Sequence, residues 1–269
     1  LKPLEDASHI VGKVIKKKAI VIVESTVYPG VTENNVAKII SKTSGLVYKK
    51  DFNMAYSPER INPGDKIHSL SKIQKIIAGD TELTLKKVNN VYSKIIKAGL
   101  HKVSTIKAAE TSKAIENAQR DINIAFINEV VMICKAIGVD SNEVIKAAKT
   151  KWNFLNFVPG LVGGHCIGVD PFYLAEAAIK AGHNPEIILA GRKINDGMPK
   201  FIFKEIKKIT NSKDRILILG VSFKENVNDI RNSKSVNLFK LFKKAGYETD
   251  IYDPIVSKSD IKKIYNINM

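Results

Sequence analysis

Hydrophobic runs separated by turn residues divide the first part of the chain into short strands and amphipathic helices. Residues 19–26 form a β-branched apolar run, typical of a strand buried on both faces, and a turn leads from it into a helix over 32–40. Further strands are predicted at 53–56 and 75–78, followed by an amphipathic helix over 81–98. This alternation of strand and helix predicts a parallel α/β sheet.

The pattern changes near residue 105, where apolar positions begin to recur at steps of three and four residues. This spacing predicts one long helix that ends at Ile137, with Gly138 as its stop and a new helix from Ser141. The remaining predicted elements are a Gly- and aromatic-rich loop over 152–168, helices over 172–181, 185–209 and 233–245, and strands over 215–220 and 249–252. The order is α/β, all-α, α/β, and we expect domains over 1–105, 106–209 and 210–269.

The composition is that of a globular protein able to bury a core, with 44% hydrophobic and 26% charged residues. It argues against disorder, collagen and coiled coil. No apolar run is long enough to cross a bilayer, and the N-terminal residues contain no signal-peptide core, so we expect no membrane association. Two cysteines make neither a disulfide framework nor a zinc site, so we expect a cytoplasmic protein without a metal.

The net charge of +16 resembles that of a nucleic-acid-binding protein only until it is divided along the chain. Residues 1–105, 106–199 and 200–269 carry +9, 0 and +7, and only five of the 43 basic residues are arginine. Proteins that read nucleic acids depend on arginine and on interleaved aromatic residues. We therefore interpret the lysines as solvated surface charge and expect no nucleic-acid partner, while the two basic outer segments would attract small anions.

Of the two cysteines, Cys166 is the better candidate for a reactive thiol, because it lies in the glycine-rich segment GGHCIGVD. Flanking glycines allow close approach of a ligand, and a thiolate there would attack a carbonyl carbon. A buried small hydrophobic residue in a tight loop is an equally good interpretation from the pattern alone. Cys134, on the apolar part of the long helix, is predicted to be a core residue.

Several polar residues are candidates for chemistry but are ambiguous by themselves. Lys113 and Asn117 lie one turn apart on the long helix, where a solvated polar stripe is the alternative. Glu59 follows a predicted strand at the sheet edge where α/β proteins bind ligands, or is a plain loop carboxylate. Lys224 and Arg231 follow the turn at Gly220, where a helix N-terminus and cations suit a phosphate, or are ordinary surface charge. The sequence contains no G-x-G-x-x-G, Walker A, H-E-x-x-H or C-x-x-C motif.

Six segments, taken together and in order, resemble the UDP-glucose/GDP-mannose dehydrogenase family. They are ESTVYPGVTE (24–33), YSPERINPGDK (56–66), KAAETSKAIENAQRDINIAFINE (107–129), GLVGGHCIGVDPFYL (160–174), AGRKINDGMPK (190–200) and ILGVSFKENVNDIRNSKS (218–235). The forms GGHCIGVDPFYL and SPERINPGD are most similar to the branch that acts on UDP-N-acetylhexosamines. Val169 stands where the UDP-glucose branch has lysine, which also favours the hexosamine branch.

The resemblance implies an NAD-dependent, four-electron oxidation of the sugar C6 hydroxymethyl group to the uronic acid, for surface polysaccharide biosynthesis. Cys166 matches the family's nucleophile, which carries the thiohemiacetal and then the thioester. Lys113 would stabilise the oxyanion, and Asp170 would order a water molecule with it. Glu59 matches the family's water-activating or thioester-stage carboxylate, and Thr26 matches a hydroxyl near the nicotinamide and that water.

The resemblance also implies how substrate, cofactor and partner bind. Asn117 matches a residue that holds the reacting end of the sugar, and Thr26, Glu59 and Arg231 match contacts to NAD. The residues matching UDP-sugar contacts are Phe157, Gly163, Gly164, Lys224 and Arg231. The fold implied is a Rossmann-like lobe, a central all-α domain that forms a homodimer, and a second Rossmann-like lobe.

The chain departs from the family pattern at both ends. The glycine-rich phosphate loop of the first lobe does not occur in it, and the second lobe stops early, at Met269. We therefore expect both lobes to be incomplete in this chain and NAD binding by the chain alone to be weak. Three alternatives stay open: an inactive remnant that only oligomerises or binds sugar nucleotide, a UDP-glucose 6-dehydrogenase, and a basic nucleic-acid-binding protein.

Overall fold

The computed structural model describes residues 2–62, 64–65, 67–165 and 167–269, and within them the chain forms two compact units. The first unit contains the residues up to Glu116 together with Glu176–Ala181. The second contains Asn117–Ala175 and Gly182–Met269. The three-domain division at residues 105 and 209 stays a prediction.

A four-stranded sheet forms the centre of the first unit. Its strands are β1 (Ile20–Val23), β2 (Asn53–Tyr56), β3 (Lys75–Gly79) and β4 (Leu100–Lys102), in that spatial order. The pairs β1–β2 and β3–β4 are parallel, but β2–β3 is antiparallel, so the prediction of a purely parallel sheet is wrong at this pair. A parallel pair needs a crossover connection, usually a helix. The described part of residues 57–74 contains only a short 3₁₀ turn, and the chain returns at the same edge of the sheet.

Helices cover both faces of this sheet, as its alternating side chains require. Helix α1 (Lys2–Val14) and helix α2 (Ala37–Ser44) pack on the face that carries Met54 and Tyr56. Helix α3 (Glu82–Tyr92) packs on the opposite face, against Ala55. Successive strand residues point to opposite faces, so each strand supplies two cores and its buried residues are almost continuously apolar.

Long helices dominate the second unit. Helix α4 (Ile106–Ile137) begins in the first unit and continues into the second, which also contains α5 (Ser141–Ala148) and α7 (Glu186–Lys207). Helix α6 (Asp170–Lys180) starts directly after the glycine-rich segment. The predicted long helix, the start of α5 at Ser141 and the burial of Cys134 are confirmed.

The C-terminal part of the second unit is a small α/β layer. Its parallel strands β5 (Arg215–Leu219) and β6 (Glu248–Tyr252) flank helix α8 (Lys234–Lys244) in sequence, and helix α9 (Lys258–Tyr265) follows. The inward residues Ile218 and Ile251 pack with Phe242 and Ile261 in one core. This layer is the strand–helix–strand unit that the sequence pattern predicts.

Candidate active site

The carboxyl ends of β1 and β2 place two of the predicted site residues in neighbouring loops of the first unit. Ser57 N donates to Val23 O at 3.0 Å, and Glu59 N donates to Glu24 O at 3.1 Å, so the parallel pairing extends beyond both strands. Thr26 lies half-buried in the loop after β1. Parallel strand ends open on the crevice in which α/β proteins bind ligands, which is where the sequence analysis expected Thr26 and Glu59.

Glu59 is held in one orientation. Its Oε1 atom accepts hydrogen bonds from the backbone N–H groups of Arg60 and Ile61, both at 2.7 Å. Its Oε2 atom lies 3.9 Å from Lys75 Nζ. The side chain is still 45% exposed, so this carboxylate is both anchored and accessible.

Lys113 does not belong to a solvated polar stripe. Its side chain is only 12% exposed, and its ammonium lies 4.0 Å from Glu116 Oε2. Glu116 Oε1 in turn lies 2.9 Å from Arg60 Nη2, the residue directly after Glu59. The first unit thus links the Lys113 region of α4 to the loop of Glu59 through Arg60 and Glu116, neither of which the sequence analysis had singled out.

The side chain of Glu110, from α4, contacts the turn between β1 and α2. It is fully buried, and its two oxygens accept hydrogen bonds from Gly30 N and Thr32 N, the latter at 2.9 Å. Gly30 has φ +97°, which favours glycine at this tight turn. Burial raises the pKa of Glu110, and the hydrogen bonds oppose that rise. The backbone donors of the turn that precedes α2 are therefore satisfied by the chain's own carboxylate.

In the second unit, Asn117 and Asp170 contact each other directly. Asn117 Nδ2 donates to Asp170 Oδ2 at 2.5 Å, and Asp170 is almost completely buried at the first residue of α6. The helix N-terminus stabilises a carboxylate at that position. Asn117, matched to a contact with the reacting end of the sugar, and Asp170, matched to the residue that orders the water, thus form one hydrogen-bonded pair.

The glycine-rich segment packs on the loop that follows β5. Gly164 N donates to Arg231 O at 3.2 Å, and Asn232 Nδ2 donates to Gly164 O at 3.2 Å. A Cβ atom on Gly164, where φ is +82°, would lie 2.7 Å from the Phe223 ring. On Gly163 it would lie 2.8 Å from Asn232 O. Both positions therefore require glycine. Cys166 lies outside the described residues.

The predicted phosphate contacts have other partners in the second unit. Asp229 Oδ1 accepts a hydrogen bond from Arg231 Nε at 3.0 Å, and this pairing lowers the pKa of Asp229. The same carboxylate lies 3.4 Å from His165 Nδ1. Lys224 is half-buried, and its carbonyl accepts a hydrogen bond from Ser222 Oγ at 2.9 Å.

The predicted helix over 233–245 is confirmed, and its N-terminus lies well beyond the Gly220 turn. Helix α8 begins only at Lys234, after the N-cap Ser233. The backbone N–H groups of Val221 and Ser222 donate instead to Asp253 Oδ2, at 2.7 and 3.1 Å. Burial opposes ionisation of Asp253, but its backbone hydrogen bonds hold its pKa below the usual range. Lys224 and Arg231 would therefore meet a phosphate without the help of these backbone donors.

Phe157 lies in an aromatic recess of the second unit. The recess has a volume of about 210 Å³ and is lined in part by Phe126, Phe154 and Leu155. Phe157 N donates to Leu155 O at 2.9 Å, which closes a tight turn. The loop predicted over 152–168 is confirmed as irregular wherever it is described.

A buried polar network anchors this loop to the helices. Asn128 Nδ2 donates to Gly160 O at 3.0 Å, and its Oδ1 accepts from Gly160 N at 2.9 Å. Asn128 also donates to Asn195 Oδ1, and Asn195 donates to Asp121 Oδ1 at 2.7 Å. Arg192 Nη1 donates to the same oxygen at 2.7 Å, and all four side chains are buried. Because buried polar groups are costly without partners, this network favours a single loop position.

The described residues provide neither a metal site nor a membrane span. Within them, no group of three or more His, Cys, Asp or Glu side chains is arranged to hold a metal ion. Likewise, no described helix is both long and apolar enough to cross a bilayer.

Sequence comparison matches three consecutive parts of one family. Residues 1–96 match the NAD binding domain of the UDP-glucose/GDP-mannose dehydrogenase family, residues 107–197 its central domain, and residues 217–269 its UDP binding domain. The protein CapL of Staphylococcus aureus is 50% identical over 275 residues, covering 100% of this chain and 65% of that relative. The UDP-N-acetyl-D-glucosamine 6-dehydrogenase of Pseudomonas aeruginosa is 49% identical, covering 99% of this chain and 65% of that protein.

Solved structures agree with the sequence comparison. A UDP-D-ManNAc dehydrogenase from Pyrococcus horikoshii superposes with a TM-score of 0.85 at 32% identity, covering 96% of this chain and 62% of that one. A UDP-glucose dehydrogenase from Pyrobaculum islandicum gives a TM-score of 0.84 at 26% identity, covering 97% and 61%. The chain thus spans just under two thirds of the length of the relatives it matches. It belongs to the UDP-glucose/GDP-mannose dehydrogenase family.

Proposed function

We propose that this protein oxidises the C6 hydroxymethyl group of a UDP-N-acetylhexosamine to the uronic acid in two NAD-dependent steps. The observation that carries the proposal is the hydrogen bond from Asn117 of α4 to the buried Asp170, which ends the glycine-rich segment that contains Cys166. The relatives at 49–50% identity include a UDP-N-acetyl-D-glucosamine 6-dehydrogenase, which supports the hexosamine. The product would serve surface polysaccharide biosynthesis in the cytoplasm, where the Cys166 thiol stays reduced.

Each catalytic residue has one role in this reaction. After the alcohol is oxidised to the aldehyde, the Cys166 thiolate adds to the carbonyl carbon, and the protonated oxygen makes a thiohemiacetal. Loss of that proton and of the carbon-bound hydride leaves a thioester, which water cleaves to the acid and the free thiol. Lys113 stabilises the oxyanion of each tetrahedral species, and Asp170 accepts a proton from the attacking water. Asn117 holds Asp170 and the reacting end of the sugar.

The first unit offers groups that fit the nicotinamide end of NAD, which accepts the hydride when bound. Ribose hydroxyls are hydrogen-bond donors, and the anchored, accessible Glu59 carboxylate and the Thr26 hydroxyl suit them. The turn after β1 fits a pyrophosphate poorly, because Glu110 already takes its backbone donors. We therefore assign Thr26 and Glu59 to the nicotinamide ribose and Arg231 to a cofactor or substrate phosphate.

The second unit supplies the sugar-nucleotide contacts. Phe157, in its aromatic recess, suits a planar base or an apolar sugar face. Gly163 and Gly164 let the glycine-rich segment pack closely on the loop that carries Lys224 and Arg231, and these two residues supply positive charge for the diphosphate. Arg231 already shares its guanidinium with Asp229, so a phosphate would compete with that carboxylate.

We also propose that the segment 106–209 forms a homodimer. Phe126, Val130, Ile133 and Ile137 follow one face of α4 at steps of four, three and four residues, and three of the four are exposed. Such a row is the pattern of a helix that packs on a partner helix. Residues 106–199 carry no net charge, which also favours self-association.

The dimer is tested by placing a charge in this row. Ile133→Glu in the product of the whole reading frame is expected to weaken association at least about tenfold in sedimentation equilibrium, because it buries an unpaired carboxylate. Val91→Glu is the matched control, since Val91 is equally exposed on α3 of the first unit and outside the row. Equal association of the wild type and Ile133→Glu would contradict the proposal.

The activity is tested with the product of the whole reading frame and a panel of UDP-sugars. We expect two NADH per sugar from a UDP-N-acetylhexosamine of gluco, galacto or manno configuration, and a slower rate with UDP-glucose. A preference for UDP-glucose would identify a UDP-glucose 6-dehydrogenase instead. UDP-sugar binding without any NADH would identify a non-redox remnant, and salt-sensitive retention on DNA would favour the nucleic-acid alternative.

A further inference from the structure

Lys75 is a buried lysine at the end of the sheet where Glu59 lies. It is the first residue of β3, and its side chain is 4% exposed. Among the described residues it is the only lysine that is almost completely buried. A buried ammonium without partners is strongly destabilising, so its surroundings must compensate for the lost hydration.

Groups from two strand-end loops and from α3 surround this ammonium. Lys75 Nζ lies 3.2 Å from Glu24 Oε1, after β1, and 3.9 Å from Glu59 Oε2, after β2. It donates to Pro58 O at 3.3 Å and lies 5.2 Å from the centroid of the Tyr92 ring. One cation therefore joins two carboxylates, a carbonyl and an aromatic face.

The antiparallel β2–β3 pair explains how the lysine reaches this position. In a parallel arrangement the first residue of β3 would lie at the opposite edge, beside the start of β2. Because the two strands run in opposite directions, Lys75 lies beside Ser57 and Pro58, where Ser57 Oγ donates to Ile76 O at 2.8 Å. Because β3 runs antiparallel to β2, the ammonium group of Lys75 lies at the carboxyl ends of β1 and β2.

Tyr92 completes the cluster from the side of α3. Its hydroxyl donates to Glu24 Oε1, the same oxygen that faces Lys75. Burial and this hydrogen bond raise the pKa of the phenol, so it stays a donor at neutral pH. Both Glu24 and Glu59 remain about half exposed, which leaves their outer sides accessible to a ligand.

We propose that Lys75 is a positioning residue that holds the loops of Glu24 and Glu59 together and fixes the orientation of the Glu59 carboxylate. The proposal rests on the proposed function only for the consequence in catalysis. Two backbone N–H groups hold one oxygen of Glu59, and Lys75 faces the other. Without Lys75, Glu24 and Glu59 would lose the cation between them, and their like charges would move the two loops apart.

The test is Lys75→Met in the product of the whole reading frame, examined by crystallography and by steady-state kinetics. We expect the Glu59 side chain to leave its backbone donors and the Glu24 and Glu59 loops to move apart. The value of kcat should fall about 10–100-fold, with KM for the UDP-sugar changed less than about twofold, because a displaced Glu59 would misplace the nicotinamide end of NAD and would not alter the contacts to the sugar nucleotide. Lys75→Arg should recover most of the loss, and Lys87→Met, on the exposed side of α3, should have no effect.

The crystallographic result decides the proposal independently of the activity. A Glu59 carboxylate that keeps its position in Lys75→Met overturns it, whatever the rates. A wild-type protein that reduces no NAD overturns the proposed function, while the side-chain positions still test Lys75. Should Lys75→Met fail to fold, Glu24→Gln replaces it: lower kcat with an unchanged KM supports the positioning role, and an unchanged kcat overturns it.

Discussion

Replacing Asp121 with alanine is expected to lower the free energy of unfolding of the second unit by about 3–5 kcal/mol. Asp121 is fully buried, and one of its oxygens accepts hydrogen bonds from Arg192 Nη1 and Asn195 Nδ2, both at 2.7 Å. Burial raises the pKa of Asp121, and the Arg192 guanidinium opposes that rise. The substitution leaves a buried guanidinium with a weaker set of partners and removes the acceptor that orients Asn195. Urea unfolding followed by circular dichroism measures the loss.

Hydrogen exchange then locates the effect. Amide protons of α4 near Asp121 and of α7 near Arg192 should exchange faster, together with Gly160 N, which is bonded through Asn128 to the same network. Asp250→Ala is the matched control, because Asp250 and Arg215 form an ion pair at 3.2 Å that lies in the same unit and is solvent-exposed. Exposed pairs contribute little to stability. If the two substitutions lower the free energy of unfolding equally, the burial of the Asp121–Arg192 pair does not add to its contribution to stability.

Replacing Cys166 with serine is expected to lower kcat by about 10³-fold or more and to stop the reaction before the acid is released. A serine hydroxyl forms a hemiacetal or an ester in place of the thiohemiacetal and thioester, and an ester resists hydrolysis more strongly. The yield should not exceed two NADH per active site, because each active site would oxidise one sugar and then stop. Intact-mass spectrometry should detect the sugar-nucleotide adduct on the protein.

Cys134→Ser is the control for this experiment. Cys134 is buried on α4, so its substitution is expected to affect stability rather than turnover. Sustained turnover in Cys166→Ser, or loss of turnover in Cys134→Ser alone, would contradict the covalent role of Cys166.

Much of the fold follows from local pattern. The residues 53–56 alternate between two buried faces, and the apolar steps of α4 run unbroken to Gly138, so both elements have the predicted bounds. Helices α1 and α9 and strand β4 were missed. α1 packs through a narrow stripe that includes Leu4 and Val11, while β4 has only three residues, none of them fully buried. α3 ends at Tyr92, earlier than the predicted residue 98.

The candidate site was predictable only where a motif is continuous in sequence. Glu59 and Asp170 lie in such motifs, whereas Lys75 and Glu110 act on residues that are distant along the chain. Lys75 meets Glu24 because β3 runs opposite to β2, and strand direction is a tertiary property. Arg60 is the only arginine in residues 1–105, which could have marked it as a candidate from the sequence alone. Its pairing with Glu116 was not predictable, because it depends on where α4 packs.

Glu110 and Asp253 have a common consequence for anion recognition. Each inserts a carboxylate into the turn that follows a strand, and each takes two backbone N–H groups there that would otherwise face a phosphate. Such a carboxylate is a permanent intramolecular competitor, present at an effective concentration that a free nucleotide does not reach. Anionic ligands are therefore steered from the backbone to lysine and arginine side chains, so their affinity should fall with rising ionic strength.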